Sequence, residues 1–313
     1  MSLHEKSLRV TRRDFLAGTG YGTLALAMGI VSPGLGPSAA LLQGATESPL
    51  FAAEKPVSQV VLVRDEAAVD ANHQINSVVV LKMLDTAMKA FAGESDAVKA
   101  WQRYFHAQDR VGVKYTRCPS HRIHVNQAVL DAITDRLITS GVGRNQVAAD
   151  DGDLRVKAKD CTALINVPSV KVHALTGIAV SIKNYINLTD HPSSYHYDGS
   201  VNLGEIWLLP EVKGKTRLIV VDMLRPYFGS GPQINPLHRW DYKGILVGTD
   251  PVAIDTVCLS ICQKKRNLFK GEEWLITPPP RSLAAADSVY HLGTSDATKI
   301  KLTRLGWGNE QLI

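Results

Sequence analysis

Residues 110–150 read RVGVKYTRCPSHRIHVNQAVLDAITDRLITSGVGRNQVAAD, and this stretch decides the fold. An apolar strand is predicted over 110–114, a helix with period 3.6 over 125–140, closed by Gly141, and a second strand over 146–150. Strand, helix of this length and strand in succession indicate a right-handed parallel crossover. The fold class is therefore α/β, with a mainly parallel sheet flanked by helices, in one lobe or two.

The same patterns recur on either side of this unit. Further strands are predicted over 59–64, 163–167, 216–222, 245–248 and 299–305. Further helices are predicted over 76–92, 96–105, 251–264 and 282–286. Asp250 followed by Pro251 gives the third of these helices a complete local start signal.

The first 53 residues have the composition of an export signal. Arg12 and Arg13 form a twin-arginine pattern, and a mildly apolar, Gly- and Ala-rich run extends over 16–42. A transmembrane helix is the alternative, but glycines and prolines interrupt the run. We therefore expect residues 1–53 to be a twin-arginine (Tat) signal peptide and linker, and 54–313 to be one α/β domain. The Tat translocase is the expected export partner and the periplasm, or another extracytoplasmic space, the expected location.

Charge and cysteine usage exclude two classes of function. A net charge of +5 over 313 residues, without basic runs interleaved with aromatics, does not indicate nucleic-acid binding. Cys258 and Cys262 fall on one apolar helical stripe and are predicted to be buried core residues. Since no two cysteines have the CxxC spacing, no iron–sulfur cluster is expected.

Residues 167–184, VPSVKVHALTGIAVSIKN, place polar groups inside an apolar run. Pro168 favours an extended start, and alternation then puts Lys171 and His173 on the face opposite the neighbouring valines. Thr176 is predicted to cap a helix that carries Lys183 and Asn184. Basic groups beside a helix N-terminus suit an anion. In the alternative explanation, the lysine charge reaches solvent while its apolar stem is buried, and the histidine is a hydrogen-bonded core residue.

Ligands of such sheets bind beyond the carboxyl ends of the strands. Lys114, Asp222 and Asp250 each end or follow a predicted strand and are the predicted ligand-binding residues. Asp255 lies at the margin of an apolar helical stripe, where a carboxylate needs a partner, so a buried ion pair and a functional role are both open. The predicted catalytic residues are His173, Lys171, Lys183, Asn184 and Asp255.

Metal ligands are weakly indicated. His121 and His124, or Asp150 and Asp151, could bind a cation, although surface and turn roles are the commoner explanation for such pairs. His196, from the pair in HPSSYHYDG, could combine with His173. The metal and the cofactor stay unknown at this stage.

Four motifs in order resemble the domain of unknown function 362 (DUF362) family. They are VGVKYTRCPSHRIHVNQAVLDAITDRL at 111–137, VKVHALTGIAVSIKN at 170–184, VGTDPVAIDTVC at 247–258 and TPPPRSLAAADSVYHLGTSD at 277–296. The resemblance spans about 57–306. It implies Tat export, which is frequent in the family. Many relatives also carry a ferredoxin domain for electron transfer, but this chain lacks the cluster-binding cysteines, so the resemblance does not imply that role here.

Three functions follow as hypotheses. The first is a small anionic substrate or cofactor bound in a cleft lined by Lys, His and Asp side chains. The second is a non-catalytic binding or assembly protein for an exported redox partner, which would be its protein partner. The third is a metal-dependent hydrolase or isomerase. The substrate, the reaction, the signal cleavage site and the oligomeric state stay open.

Overall fold

A mixed β-sheet covered by helices on both faces organises the chain. The computed structural model describes residues 57–118, 123–152, 154–230 and 234–313. Its strands are β1 (Ser58–Arg64), β2 (Val111–Tyr115), β3 (Arg117–Cys118), β4 (Ile123–His124), β5 (Val147–Asp150), β6 (Ala163–Val167), β7 (Ser169–His173), β8 (Gly177–Ala179), β9 (Thr216–Tyr227), β10 (Gly244–Gly248) and β11 (Ile300–Gly306). Its α-helices are α1 (Ser77–Ala92), α2 (Ala97–Gln102), α3 (Gln127–Thr139), α4 (Leu154–Lys157), α5 (Ser181–Asn184), α6 (Pro251–Lys270) and α7 (Arg281–Ser288).

The sheet order is β11-β1-β10-β9-β6-β2-β5, and β7 pairs with both β9 and β8. Along the main path, β10 alone among the described strands runs against its two neighbours, and every other pairing on that path is parallel. The predicted α/β class with a mainly parallel sheet is thus confirmed. The described residues form one compact unit rather than two lobes.

Both faces of the sheet are apolar because both are covered. In β1, Val60 and Leu62 join one buried cluster with α6, while Val61 and Val63 join the other with α1 and α3. Alternate strand residues point to opposite faces, which explains why the strands read as continuous apolar runs. Cys258 and Cys262 are buried free thiols in the α6 cluster, as predicted.

Local signals set the helix ends. The Asn76 side chain accepts a hydrogen bond from the Val79 amide at the start of α1, and Gly93 ends that helix in the left-handed region at φ 68°. Asp250 accepts hydrogen bonds from the amides of Val252 and Ala253 at the start of α6. In the described part of the chain, no helix combines the length and the apolarity needed to cross a membrane.

The structure corrects the prediction for residues 174–184. Thr176 does not cap a helix; its hydroxyl donates to the carbonyl oxygen of Ile178 within a β7–β8 hairpin. Gly177, at φ 75°, makes the turn possible, since a side chain there would be strained. The helix begins five residues later than Thr176 and lasts only from Ser181 to Asn184.

Candidate functional site

The carboxyl ends of neighbouring parallel strands bring polar residues together, as the topology predicts. Lys114 in β2 pairs in register with Asp150 in β5 and with Asn166 in β6. Asp151 follows Asp150 directly in the chain. Polar side chains from three strands therefore meet at one edge of the sheet.

Lys114 is the centre of this group and has 1% of its surface exposed. Its ammonium nitrogen donates to Asp151 Oδ1 at 2.5 Å and to the Tyr115 carbonyl oxygen at 3.2 Å. Burial lowers the pKa of Lys114, and the Asp151 carboxylate opposes that shift. Asn187 donates a further hydrogen bond to Asp151 Oδ1 at 2.9 Å, so the ion pair is part of a network.

Asn184 connects helix α5 to the strands. Its amide nitrogen donates to the Lys114 carbonyl oxygen (3.0 Å) and to Asn166 Oδ1 (2.7 Å). Its amide oxygen accepts from the Thr116 hydroxyl (2.9 Å). Every good hydrogen-bonding position of this buried side chain is used, so Asn184 fixes the position of α5 relative to β2 and β6.

Asp255 fixes the other end of the same helix. Its two carboxylate oxygens accept hydrogen bonds from the amides of Ser181 (2.8 Å) and Ile182 (3.1 Å). The partner of this buried carboxylate is thus a helix start, which neither sequence alternative named. Burial raises the pKa of Asp255 to about 7, against the effect of these hydrogen bonds.

A basic cluster is formed by side chains from β7, α5 and the 3₁₀ segment Pro192–Leu208. We define it as Lys171, His173, Lys183 and His196. Lys183 Nζ lies 2.7 Å from His196 Nε2, and the His196 ring stacks on His173 with 5.9 Å between centroids. Lys171 shares the face of β7 with His173, while Val170 and Val172 are buried on the other, as predicted.

The hydrogen bonds imply the tautomers of both histidines. Because the Lys183 ammonium can only donate, His196 Nε2 accepts, and the proton of the neutral ring lies on Nδ1. Burial, and then the Lys183 charge, lower the pKa of His196 and keep it neutral. His173 Nδ1 accepts from the Leu175 amide at 3.2 Å, so the His173 proton lies on Nε2. His173 thus presents an N–H donor rather than a free basic nitrogen.

The two remaining predicted ligand-binding residues lie apart from each other. Asp222 is inside β9, which continues to Tyr227, and its oxygens accept from Asn126 and from the Leu224 amide. Asp250 follows β10, the antiparallel strand, and therefore lies at the opposite edge of the sheet from Lys114. There its carboxylate also accepts from the Ser58 hydroxyl and the Thr294 amide.

The weak metal candidates do not converge. His121 lies outside the described residues, and His124 is exposed in β4. Asp150 accepts from the Asp151 amide, and Asp151 is paired with Lys114. Among the residues that the structure describes, no three His, Cys, Asp or Glu side chains form a group suited to a metal ion. Arg12 and Arg13, of the predicted export signal, also lie outside the described residues.

Two residues of this edge, Thr116 and Asn166, have no role in the sequence interpretation. His196 was noticed as one of a histidine pair, but it lies in an irregular 3₁₀ segment, Pro192–Leu208, whose path local periodicity does not indicate. Asn166 had a detectable signal, since it is an amide in the otherwise apolar strand ALINV.

Comparison with known proteins gives a family and nothing further. Neither the curated proteins nor the solved structures contain a match to the chain. Residues 119–260 match the family described as "Domain of unknown function (DUF362)", a shorter span than the 57–306 over which the motifs extend. The matched span includes the whole basic cluster but not Lys114. Over residues 119–260, the chain is therefore similar to the DUF362 family, in agreement with the resemblance of its motifs.

Proposed function

We propose that this protein binds a small anionic substrate or cofactor at the basic cluster. The observation that carries the proposal is the contact between Lys183 and His196, with Nζ and Nε2 2.7 Å apart and His173 stacked against the same ring. Lys183, only 9% exposed, and the two imidazole rings lie in one chain of contacts, and a lysine beside two imidazoles is a set of side chains that suits an anion.

Each member of the basic cluster has a distinct task in this proposal. Lys183 supplies the positive charge, and His173 donates from Nε2 to an oxygen of the anion. Lys171 extends the site along the half-buried face of β7. His196 orients Lys183 and is the group whose protonation responds to the ligand.

The buried network serves to hold the site rigid. Asp255 holds the first turn of α5, and Asn184 ties its last residue to β2 and β6. Lys183 lies between these two anchors, so its backbone position is determined from both sides. A binding group on a rigid element loses little entropy when a ligand arrives.

Binding should be linked to proton uptake. The Lys183 charge helps to keep His196 neutral, and an anion beside Lys183 would cancel that repulsion. The pKa of His196 would then rise, and binding would be coupled to proton uptake by the complex. Affinity is therefore expected to increase as pH falls.

The test is thermal stabilisation of the purified protein by inorganic phosphate, sulfate, oxalate and adenosine diphosphate in turn, at constant ionic strength. We expect at least one anion to stabilise the wild type. In Lys183→Met its affinity should fall by about tenfold or more, because hydrogen bonds to a charged group contribute about 1.5–3 kcal/mol. Lys82→Met, an exposed lysine on α1, is the matched control and should bind normally.

His173→Ala separates a binding role from a structural one. In this proposal the variant folds with nearly unchanged stability and loses anion affinity. A large loss of stability together with unchanged anion affinity would refute the role given to His173. Equal stabilisation of wild type and Lys183→Met by every anion would refute the site as a whole.

The proposal extends to location: the Tat translocase exports the protein to the periplasm through Arg12 and Arg13. In cell fractionation, the double variant Arg12→Lys, Arg13→Lys should accumulate in the cytoplasm, because the translocase recognises the two arginines themselves and not only their positive charge. Arg9→Lys is the matched control. Export of the double variant at the level of this control would contradict the assignment.

A further inference from the structure

A second cleft, separate from the basic cluster, opens between β7, β9 and the start of α3. We call it the Arg239 cleft; its polar lining includes His124, Ser169, Asp222, Arg225 and Arg239. It offers about 340 Å³ of empty space, with open solvent at its mouth included.

Ser169 brings an unsatisfied hydroxyl to this cleft. The residue is 7% exposed, and its Oγ has no hydrogen-bond partner among the described residues. Its backbone amide is bonded to the Thr116 hydroxyl, so the position of the residue is fixed. Buried hydroxyl groups are almost always hydrogen-bonded in folded proteins, and one that lines a cleft is suited to a ligand.

Arg239 brings an incompletely used guanidinium to the same cleft. Within the described ranges its side chain donates one hydrogen bond, from Nε to the Arg225 carbonyl oxygen at 3.3 Å. Desolvation, and then the charge of Arg225, lower the pKa of Arg239. A half-buried guanidinium that makes one side-chain hydrogen bond within the described ranges is suited to a further oxygen acceptor.

The acidic groups nearby are already engaged. Asp222 Oδ2 accepts from the Asn126 amide (2.6 Å) and side chain (2.7 Å), and its Oδ1 accepts from the Leu224 amide (3.0 Å). Asp241 is paired with Arg225 at 2.6 Å and with His73 at 2.7 Å. These carboxylates offset part of the local charge but leave the forked end of Arg239 for another oxygen pair.

We propose that the Arg239 cleft binds the carboxylate of a small organic acid, held by the Arg239 guanidinium and the Ser169 hydroxyl. A planar, forked guanidinium matches a planar carboxylate through two parallel hydrogen bonds. Two arginines and two aspartates leave little surplus charge here, which favours a singly charged carboxylate over a doubly charged phosphate. This site does not depend on the basic cluster, so either proposal can fail alone.

The experiment compares sodium acetate with sodium phosphate as probes, at constant ionic strength and pH, by the ligand-induced shift of the thermal midpoint. The variants are Arg239→Gln and Ser169→Ala. Arg103→Gln, at an exposed arginine paired with Glu94, is the matched control. Arg239→Gln should weaken acetate binding by about tenfold or more and Ser169→Ala by about threefold or more, since charged hydrogen bonds are the stronger. The control should equal the wild type.

The outcomes are distinct. Selective loss of acetate binding in Arg239→Gln and Ser169→Ala, with a normal response in Arg103→Gln, supports the proposal. Phosphate binding in place of acetate, lost in the same variants, overturns the carboxylate class. No response to either probe, or an equal loss in the control, overturns the site. If Arg239→Gln does not fold, unchanged acetate affinity in Ser169→Ala overturns it.

Discussion

Replacing Asp151 by asparagine leaves the buried Lys114 ammonium without its carboxylate. Lys114 is 1% exposed and the two groups are 2.5 Å apart, so almost no water can replace the lost partner. Breaking a buried ion pair from one side costs about 3–5 kcal/mol of unfolding free energy. The Tyr115 carbonyl oxygen at 3.2 Å and the asparagine oxygen still accept from Lys114, so we expect the lower end, about 3 kcal/mol near pH 7.

The pH dependence identifies the cause of this loss. Burial lowers the pKa of Lys114 below that of the unfolded chain, and removing Asp151 lowers that pKa further. The unfolded state then binds more protons than the native state, so the stability of Asp151→Asn rises with pH. The deficit relative to wild type should therefore shrink between about pH 7 and about pH 10, where the lysine loses its proton in both states.

Urea unfolding followed by tryptophan fluorescence measures both quantities. Adding Lys114→Met to Asp151→Asn should recover most of the lost stability, because a methionine of similar length has no charge to bury. A deficit that stays constant across this pH range, or a double variant no more stable than Asp151→Asn, would refute the reasoning.

Three further predictions concern the frame of the site. The pKa of Asp255 is about 7 in the folded state against 3.8 in the unfolded state, so its contribution to the unfolding free energy is lost as pH rises from about 4 to about 7. Asp255→Asn has no such titration, and urea unfolding of this variant should therefore lack the decline in stability over that range. Gly177→Ala should lower the unfolding free energy by more than about 1 kcal/mol and the thermal midpoint with it, because φ is 75° and the new Cβ would lie 2.5 Å from the Pro278 carbonyl oxygen. A midpoint equal to that of the wild type would contradict the turn geometry. Asp250→Ala should cost about 1–2 kcal/mol in urea unfolding as a lost helix cap, yet leave anion affinity unchanged, since Asp250 lies at the other edge of the sheet; reduced affinity would contradict that placement.

Strong local periodicity made most of the fold predictable. The crossover from β2 through α3 to β5, and the strand Ala163–Val167, follow directly from apolar runs and helix-end signals. The direction of β10 did not follow from the sequence, because the apolar pattern of a strand is the same for parallel and antiparallel pairing. Asp250 was grouped with Lys114 on the assumption of a parallel strand, and the antiparallel pairing moves it across the sheet.

The site was predictable where topology determined it. The meeting of Lys114 with Asp150 and Asp151 follows from parallel strands that share one edge. The contact between His196 and Lys183 depends on an irregular segment, and the capping of α5 by Asp255 depends on the packing of α6. Neither is encoded in a local pattern, so only the tertiary structure reveals them.

The most direct test of the central claim is calorimetric titration of the best-stabilising anion into wild type and Lys183→Met, in buffers of different ionisation enthalpy. The account predicts that anion binding to the wild type is coupled to proton uptake, and that the affinity is reduced by about tenfold or more in the variant. Equal affinity in the two proteins, or wild-type binding without proton uptake, would contradict the account of Lys183 and His196.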